Sequence, residues 1–344
     1  MNTRTFVIGT LAIGLLLYAG SAVWAADKPI VIRYADHGSI SKYVVRANTM
    51  KAFGDEVEKR SGGRVKFEYN WSESLCKAKD APDAVRTGVA DASIIVTVYY
   101  PPKFPAWTVV DVAGIFDPYA VGMAMWELND TEPAFQKTLD SLNARMLLPT
   151  PLGETVLFFR KPVTKLKDIK GLKVRAIGSE ADFINGVGGV PVPLPHPEVF
   201  LAVQRGTIDG VVGFPPSAMS YGYHEITTHW LRGIPGNFCL MVMINKDTWN
   251  KIPKDLQQMM NEVARGMAKS HAEATLKNDN DICDQQKARG AKITNVSQED
   301  TNTWKGLYAP LLTKWKADMS ARGIDGDKIL QKYTDLTKKY GAKY

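Results

Sequence analysis

Cysteine is scarce in this sequence, and the few residues present fit neither a disulfide framework nor a cysteine-based metal site. The 344 residues contain three cysteines, Cys76, Cys239 and Cys283, which are widely separated and odd in number. Metal sites use closely spaced pairs, and disulfide-rich domains use an even, regular set. One disulfide is compatible with the sequence, but the spacing does not indicate between which two residues.

Concentrated positive charge is also lacking. The formal net charge is +7, but lysine and arginine are spread along the chain instead of forming a basic tract. Because nucleic-acid binding usually requires a basic patch or stripe, we expect no nucleic-acid partner. The dispersed charge supports only a weak preference for anionic ligands.

Signatures of catalysis are missing. The segment "HEITTH" (224–229) looks like a zinc-protease motif, but its histidines are five residues apart, whereas the motif needs four. The sequence has no Gly-x-Ser-x-Gly elbow, and "NGVGGV" (185–190) matches neither a phosphate-binding loop nor a dinucleotide fingerprint. We therefore expect no enzymatic activity, no metal and no cofactor.

The first residues have the pattern of a secretory signal peptide. Arg4 precedes an apolar run, and Val23 and Ala25 are small residues suited to a cleavage site after Ala25. The strongly apolar part is about 14 residues, short of the roughly 20 needed for a transmembrane helix. The sequence predicts export to the periplasm as a protein that is not inserted in the membrane.

The remaining chain predicts a two-lobed α/β protein. It exceeds the length at which single hydrophobic cores stop growing. "PIVIRYA" (29–35), a helical pattern over 41–60 and "VKFEY" (65–69) form a β-α-β unit, which requires two parallel strands. A second α/β region follows over 155–212.

The last third of the chain is mostly helical. Its longest predicted element begins near Pro253, and a later helix starts at Ser297 and kinks at Pro310. The predicted division is a signal peptide (1–25), a first α/β lobe completed by C-terminal segments (26–150), a second α/β lobe (151–235), and a crossover strand with helices packing across both lobes (236–344).

One short strand carries an arginine at its centre. In "GLKVRAIG" (171–178), Leu172, Val174 and Ala176 alternate on one face, which places Arg175 on the other. Arg175 could be a solubilising charge on an exposed edge strand. Alternatively, it could point into a cleft and bind a carboxylate.

Several segments in order are similar to one protein family. "SGGRVKFEY", "DIKGLKVRA", "VPVPLPHPEVFLAVQRGTIDG" and "MVMINKDTWNKIPKDLQQMMNEVA" resemble the substrate-binding proteins of tripartite ATP-independent periplasmic (TRAP) transporters, of the dicarboxylate-binding type. The resemblance covers nearly the whole chain after the signal peptide. It implies two lobes joined by strands and a long helix, with an organic acid held between them and passed to an ion-driven membrane permease.

The resemblance also implies binding residues. The arginine of "GLKVR" pairs with the substrate carboxylate in the family, so Arg175 is the predicted anchor, and a planar guanidinium suits that role. His196 occupies a position where an aromatic ring often packs on the substrate. Lys77 matches a position near the ligand, although a solvated charge at the start of a helix is the favoured interpretation of this residue. Thr155 replaces an arginine of sugar-acid binders, which disfavours sialic acid.

Other candidate contacts lie where this chain departs from the usual residues of the family, and at the ends of predicted strands. Where the family often has Gln-Glu-Asn-Pro, this chain has an apolar segment ending in Gly213 and Phe214, and Phe214 could contact the ligand or belong to the core. Trp71 and Tyr99 end strands where the cleft opens, and His37 follows the first strand.

These residues favour an aromatic or otherwise apolar monocarboxylate as the ligand, with a dicarboxylate or keto acid as the alternative. A binding protein of an ATP-driven importer or of a sensory system, or an exported enzyme on the same scaffold, would share the predicted fold.

Overall fold

The computed structural model describes residues 28–234, 236 and 238–342, and the predicted signal peptide lies outside them. Within that part of the chain, the strands form two separate sheets. Their bounds are β1 Ile30–Ala35, β2 Val65–Asn70, β3 Ala92–Ile95, β4 Ala144–Pro151, β5 Thr155–Phe159, β6 Lys173–Arg175, β7 Val190–Val192, β8 Gly210–Gly213, β9 His229–Ile234, β10 Cys239–Asn245 and β11 Lys292–Asn295.

Helices cover the sheets and fill the last third of the chain. Their bounds are α1 Val45–Arg60, α2 Ala81–Thr87, α3 Val109–Val112, α4 Pro118–Thr131, α5 Pro133–Ser141, α6 Ser179–Gly186, α7 His196–Gln204, α8 Pro215–Ser220, α9 Lys246–Lys251, α10 Lys254–Gly266, α11 Ala268–Ala288, α12 Gln298–Gly306, α13 Tyr308–Ala321 and α14 Gly326–Lys339.

The first sheet has the strand order β2-β1-β3-β10-β4. β1 and β2 are parallel and joined by α1, as the predicted β-α-β unit requires. β10 runs antiparallel between β3 and β4. All of its residues are buried, which explains why "CLMVMIN" is almost uniformly apolar.

The second sheet has the order β11-β9-β5-β8-β6-β7. β6, which carries Arg175, pairs with β7 on one side and β8 on the other. The edge-strand interpretation of "GLKVRAIG" is therefore wrong, because the short β7 forms that edge and β6 lies inside the sheet. The second lobe predicted from the sequence (151–235) also did not include β11, which lies in this sheet.

The chain crosses between the sheets more than once. Residues 152–154 connect β4 to β5, and the segment after Ile234 connects β9 to β10. α10 and α11 follow each other with only Met267 between them, close to the predicted long element. α11 packs on α1 and α4 of the first lobe and on α8 and β11 of the second. The predicted two-lobed α/β fold with a long helix across the lobes is confirmed.

The C-terminal helices also bridge the lobes. Ser297 caps α12 as predicted, since its side chain accepts a hydrogen bond from the backbone of Asp300. The predicted helix is interrupted at Leu307, not at Pro310. Pro310 lies in the first turn of α13, where a backbone N–H would have no partner within the helix, so the missing N–H of proline costs nothing there. α13 therefore packs Leu311 against the second lobe and Trp315 against the first.

All three cysteines are free thiols: Cys76 lies in the loop after β2, Cys239 in β10 and Cys283 in α11. Over the described residues, no helix has the length and apolar character of a membrane span.

Candidate ligand-binding site between the lobes

A cavity lies where the two lobes meet, and side chains from both lobes line it. The first lobe contributes the ends of β1 and β3 and the start of α1, and the second contributes β6, α6, α7 and α8. Its polar lining includes His37, Arg46, Tyr99, Arg175, Glu180, His196, Ser217 and Tyr221.

Arg175 is held rigidly at the base of this cavity. Its side chain is 1% exposed. Nε donates to the carbonyl of Leu194 at 2.8 Å, and Nη1 donates to the carbonyl of Val212 at 2.9 Å. Nη2 is buried and has no partner among the described residues. An unpaired buried donor costs about 1–3 kcal/mol, which makes Nη2 a natural site for an anionic oxygen.

Glu180 balances the charge of Arg175. Nη1 of Arg175 lies 3.3 Å from Oε2 of Glu180, and the same oxygen accepts the backbone N–H of Ile177 at 3.2 Å. Burial raises the pKa of Glu180 to about 7, although Arg175 opposes that shift. Sequence reasoning missed Glu180, because an acidic residue in the first turn of a helix is ordinarily a favourable helix-dipole contact.

Arg46 is a second cavity arginine that the sequence analysis missed. It is the second residue of α1, and it forms a buried ion pair with Asp36, which follows β1. Tyr34 and the backbone of Gly38 also donate hydrogen bonds to Asp36, at 3.0 and 2.7 Å. The position of Asp36 after a parallel strand, near the start of the next helix, was the available signal.

The two cavity histidines are uncharged near neutral pH. Burial, with a further contribution from Arg46, lowers the pKa of His37 to about 4. Burial likewise holds the pKa of His196 well below its usual value, and Nδ1 of His196 has no partner within the described structure. The His196 ring stacks parallel to Tyr221, with centroids 5.4 Å apart.

Apolar side chains form the remaining wall. Phe214 is 5% exposed and packs edge-on against Phe238, with ring centroids 5.7 Å apart. The structure therefore places Phe214 both in the core of the first lobe and on the cavity, so the two alternatives are not exclusive. The other apolar lining residues are Val96, Val98, Leu152, Ile177, Phe238 and Leu240.

The lobes are in direct contact around the cavity. The backbone N–H of His196 donates to the Tyr99 hydroxyl at 3.2 Å. The Ser39 and Ser220 hydroxyls lie 3.1 Å apart, and the Ser179 hydroxyl donates to the carbonyl of Asp111 at 3.0 Å. These contacts join the two lobes.

The structure brings five of the predicted site residues to the cavity lining, namely His37, Tyr99, Arg175, His196 and Phe214. Gly213 lies behind it: a Cβ there would sit 2.7 Å from the Tyr223 hydroxyl, so glycine allows β8 and Tyr223 to pack closely.

Two predicted contacts lie elsewhere. The Lys77 side chain is 72% exposed and pairs with Glu73 at 3.4 Å. Trp71 stacks on Tyr69, with centroids 5.4 Å apart, within the aromatic cluster of the first lobe. Neither belongs to the lining residues, and this geometry does not support contact between either of them and a ligand.

No grouping of three or more potential metal ligands occurs in the described ranges. In "HEITTH", His224 lies in a short 3₁₀ turn and His229 begins β9, so the two histidines do not share a helical face.

A cavity between two lobes, lined by a buried arginine, is typical of a two-lobed solute-binding protein. Residues 40–318 match the family "Bacterial extracellular solute-binding protein, family 7" (DctP). The chain therefore belongs to that family, and the resemblance to TRAP substrate-binding proteins is confirmed.

Three related proteins illustrate the similarity. The C4-dicarboxylate-binding periplasmic protein DctP of Rhodobacter capsulatus is 26% identical over 330 residues, covering 90% of this chain and 93% of that protein. A TRAP solute-binding protein from Rhodoferax ferrireducens, solved with copurified benzoate, superposes with a TM-score of 0.82 at 22% identity, covering 90% of this chain and 98% of the other. A marine-metagenome TRAP protein specific for aromatic acids, solved with 3-hydroxybenzoate, gives 0.83 at 22% identity, covering 91% and 99%.

Proposed function

We propose that this protein captures an aromatic or otherwise apolar monocarboxylate in the interlobe cavity and delivers it to a TRAP membrane permease. The observation that carries the proposal is the buried, unpartnered Nη2 of Arg175 in a cavity with an apolar wall. A carboxylate oxygen would satisfy this donor with a charge-assisted hydrogen bond. Phe214 and Phe238 would pack on the body of the ligand.

The internal ion pairs favour a single negative charge on the ligand. Arg175 is paired with Glu180, whose pKa of about 7 allows it to take up a proton when one ligand carboxylate binds, whereas Arg46 is paired with Asp36. A second ligand carboxylate would therefore enter a buried site with no unpaired cation among the described lining residues. Burying an uncompensated charge is strongly unfavourable. For this reason we rank a dicarboxylate or keto acid second. The one feature that favours this alternative is Arg46, which is a second arginine in the cavity lining.

Related proteins bind both classes of ligand. One was solved with benzoate and another with 3-hydroxybenzoate, whereas the Rhodobacter capsulatus relative is named for C4-dicarboxylates. The family therefore includes proteins of both kinds, and the cavity lining is the reason to prefer an aromatic ligand here.

The ligand would be held without chemical change. On this proposal the chain is exported after cleavage following Ala25, the carboxylate binds Arg175, and closure of the lobes expels water. An intact-mass measurement on exported protein is expected to show a chain beginning at Ala26. Uptake that required an ATPase subunit instead of a TRAP permease would assign the protein to an ATP-driven importer.

The decisive experiment is calorimetric titration of the mature protein with matched acids. Benzoate, phenylacetate and mandelate represent aromatic monocarboxylates, and malonate, succinate and pyruvate represent the alternative. We expect the aromatic acids to bind at least about tenfold more tightly, the difference made by one well-buried apolar contact. Tight binding of the diacids alone would overturn the ligand assignment, and turnover of a bound acid would show an enzyme.

A further inference from the structure

A second chamber adjoins the ligand cavity on the side of the long helix α11. The two chambers share Arg46, Leu152, Phe214, Ser217 and Tyr221 as lining residues. These shared side chains form a neck between the Arg175 chamber and the second one. Thr275 and His271 of α11 line the second chamber and not the Arg175 chamber, and we refer to these two residues as its far wall.

The far wall carries an unsatisfied polar group. Thr275 is 5% exposed, and its Oγ1 is buried without a partner in the described structure. A hydroxyl in the middle of a helix ordinarily turns back to a backbone carbonyl in its own helix, as the hydroxyl of Thr313 does with Ala309 at 3.0 Å. Thr275 instead keeps both its donor and its acceptor capacity at the chamber wall.

Both ring nitrogens of the neighbouring His271 already have hydrogen-bond partners. Nδ1 of His271 lies 2.9 Å from the Thr49 hydroxyl, and Nε2 lies 3.0 Å from the carbonyl of Pro151. His271 is therefore a structural link between α1, β4 and α11. At the neck, the Tyr221 hydroxyl is also buried and unpartnered within the described chain. Arg46 also lines this chamber, but its charge is paired with Asp36. The buried polar side-chain atoms of this lining that have no partner in the described structure are thus hydroxyls, which suit a neutral hydroxyl group.

We propose that the second chamber is a distal subsite for a hydroxyl group, and that the preferred ligand is an elongated hydroxyaryl acid. This inference rests on the proposed function. The carboxylate would bind Arg175, the ring would pass beside Phe214, and the distal hydroxyl would pair with Thr275. Such a ligand would place a polar group at each end, and its ring would pass the two apolar residues of the neck, Leu152 and Phe214.

The test is a ligand series measured against two variants. The series comprises benzoate, 4-hydroxybenzoate, 3-phenylpropanoate and 3-(4-hydroxyphenyl)propanoate, each titrated by calorimetry. Thr275→Val removes the hydroxyl at nearly constant volume, and Thr275→Met fills the distal chamber. Thr313→Val makes the same exchange on the exposed face of α13 and serves as the matched control.

We expect the long hydroxylated acid to bind the parent protein about five- to tenfold more tightly than its unhydroxylated partner, the effect of one buried hydrogen bond. Thr275→Val should abolish that advantage, and Thr275→Met should weaken both long acids while sparing benzoate. Thr313→Val should change nothing. Unchanged discrimination in Thr275→Val, or equal losses for benzoate and the long acids in Thr275→Met, would overturn the subsite while leaving binding at Arg175 intact. Failure of every aryl acid to bind would instead overturn the proposed function, and this inference with it.

Discussion

Arg175 and Glu180 form a buried ion pair that occupies one side of the guanidinium and leaves the other side unpaired. Nη1 of Arg175 lies 3.3 Å from Oε2 of Glu180, while Nη2 has no partner among the described residues. The pair fixes the orientation of the arginine before a ligand arrives. It also limits how much of the guanidinium a ligand can use, because Nε and Nη1 are already donating to backbone carbonyls.

Arg175→Ala should weaken the binding of a monocarboxylate by about 100-fold or more. The substitution removes the positive charge and the free donor Nη2, whose charge-assisted hydrogen bond is worth about 1.5–3 kcal/mol, and it leaves Glu180 buried without its partner. Arg175→Lys should recover only part of the affinity, since an ammonium cannot reproduce the fork of donors. Calorimetry on variants whose folding is checked by circular dichroism provides the measurement.

Arg205→Ala is the matched control for the arginine substitution, because Arg205 is exposed on the same lobe. It should bind like the parent protein. Near-parental affinity in a folded Arg175→Ala variant would show that this arginine does not anchor the ligand.

The sequence was sufficient to identify Arg175 as the principal candidate. Alternation in "GLKVRAIG" fixed which face the side chain occupies, and the family resemblance suggested its role. The fold class and the course of β1, α1 and β2 were also predictable, because each segment has a strong hydrophobic period and clear end signals.

Residues that act across the tertiary structure were not predictable. Arg46 lies on an amphipathic helix of the first lobe, and nothing in its local pattern indicates that it reaches Asp36 and the cavity. For Trp71, a strand end near the cleft does not determine whether the ring turns toward the ligand or toward Tyr69, on which it stacks in the structure. Periodicity identifies a face of an element, but not what the facing lobe brings against it.

Binding of a monocarboxylate should weaken as the pH rises from 6 to 8, by about five- to tenfold. The pKa of Glu180 is raised to about 7, with burial the cause and Arg175 opposing it. A bound carboxylate beside Glu180 raises that pKa further, so the complex holds more protons than the free protein. Asp111 also faces Glu180, and burial raises the pKa of Asp111 well above its usual value, while burial lowers the pKa of His37 to about 4 and holds that of His196 well below its usual value.

Glu180→Gln should remove this pH dependence and tighten binding at pH 8. Asp182→Asn, which changes a partly exposed carboxylate on the same helix, should leave the pH profile unchanged. Titrations at pH 6, 7 and 8 in two buffers of different ionisation enthalpy would also count the protons taken up. A profile that Glu180→Gln leaves unaltered would assign the dependence to another group.

Asp279 should make the protein less stable as the pH rises. It lies on α11 and accepts the backbone N–H of Glu154 at 2.7 Å, in the segment that joins the lobes. Burial raises its pKa to about 7, so between about pH 4 and 7 the folded state binds a proton that the unfolded state does not. Stability from this group is therefore lost as the pH rises through that window.

Asp279→Asn should consequently be more stable relative to the parent at pH 8 than at pH 5, by on the order of 3 kcal/mol. The buried histidines contribute an opposite slope, but they are common to both proteins and cancel in the difference. Urea unfolding of both proteins at pH 5 and pH 8 measures this difference in the free energy of unfolding. A difference that does not change with pH would show that Asp279 ionises normally.

Phe214 provides the sharpest test of ligand class. If its ring packs on the ligand, Phe214→Ala should weaken aromatic acids by about 2 kcal/mol, the amount expected for truncating a well-buried aromatic contact. Short aliphatic acids, which reach Arg175 without touching this ring, should lose much less. Because Phe214 also packs against Phe238 in the core, Phe214→Leu should be measured beside it as a variant that retains most of the apolar volume.

Trp71→Ala is the control for Phe214, because it truncates a large aromatic residue of the first lobe that does not line the cavity. It should cost stability but not affinity. Equal losses for aromatic and aliphatic acids in Phe214→Ala would indicate a general collapse of the cavity and not a lost ring contact. A selective loss in Trp71→Ala would mean that the aromatic cluster at the end of β2 reaches the ligand after all, and that the cavity extends further into the first lobe than its lining indicates.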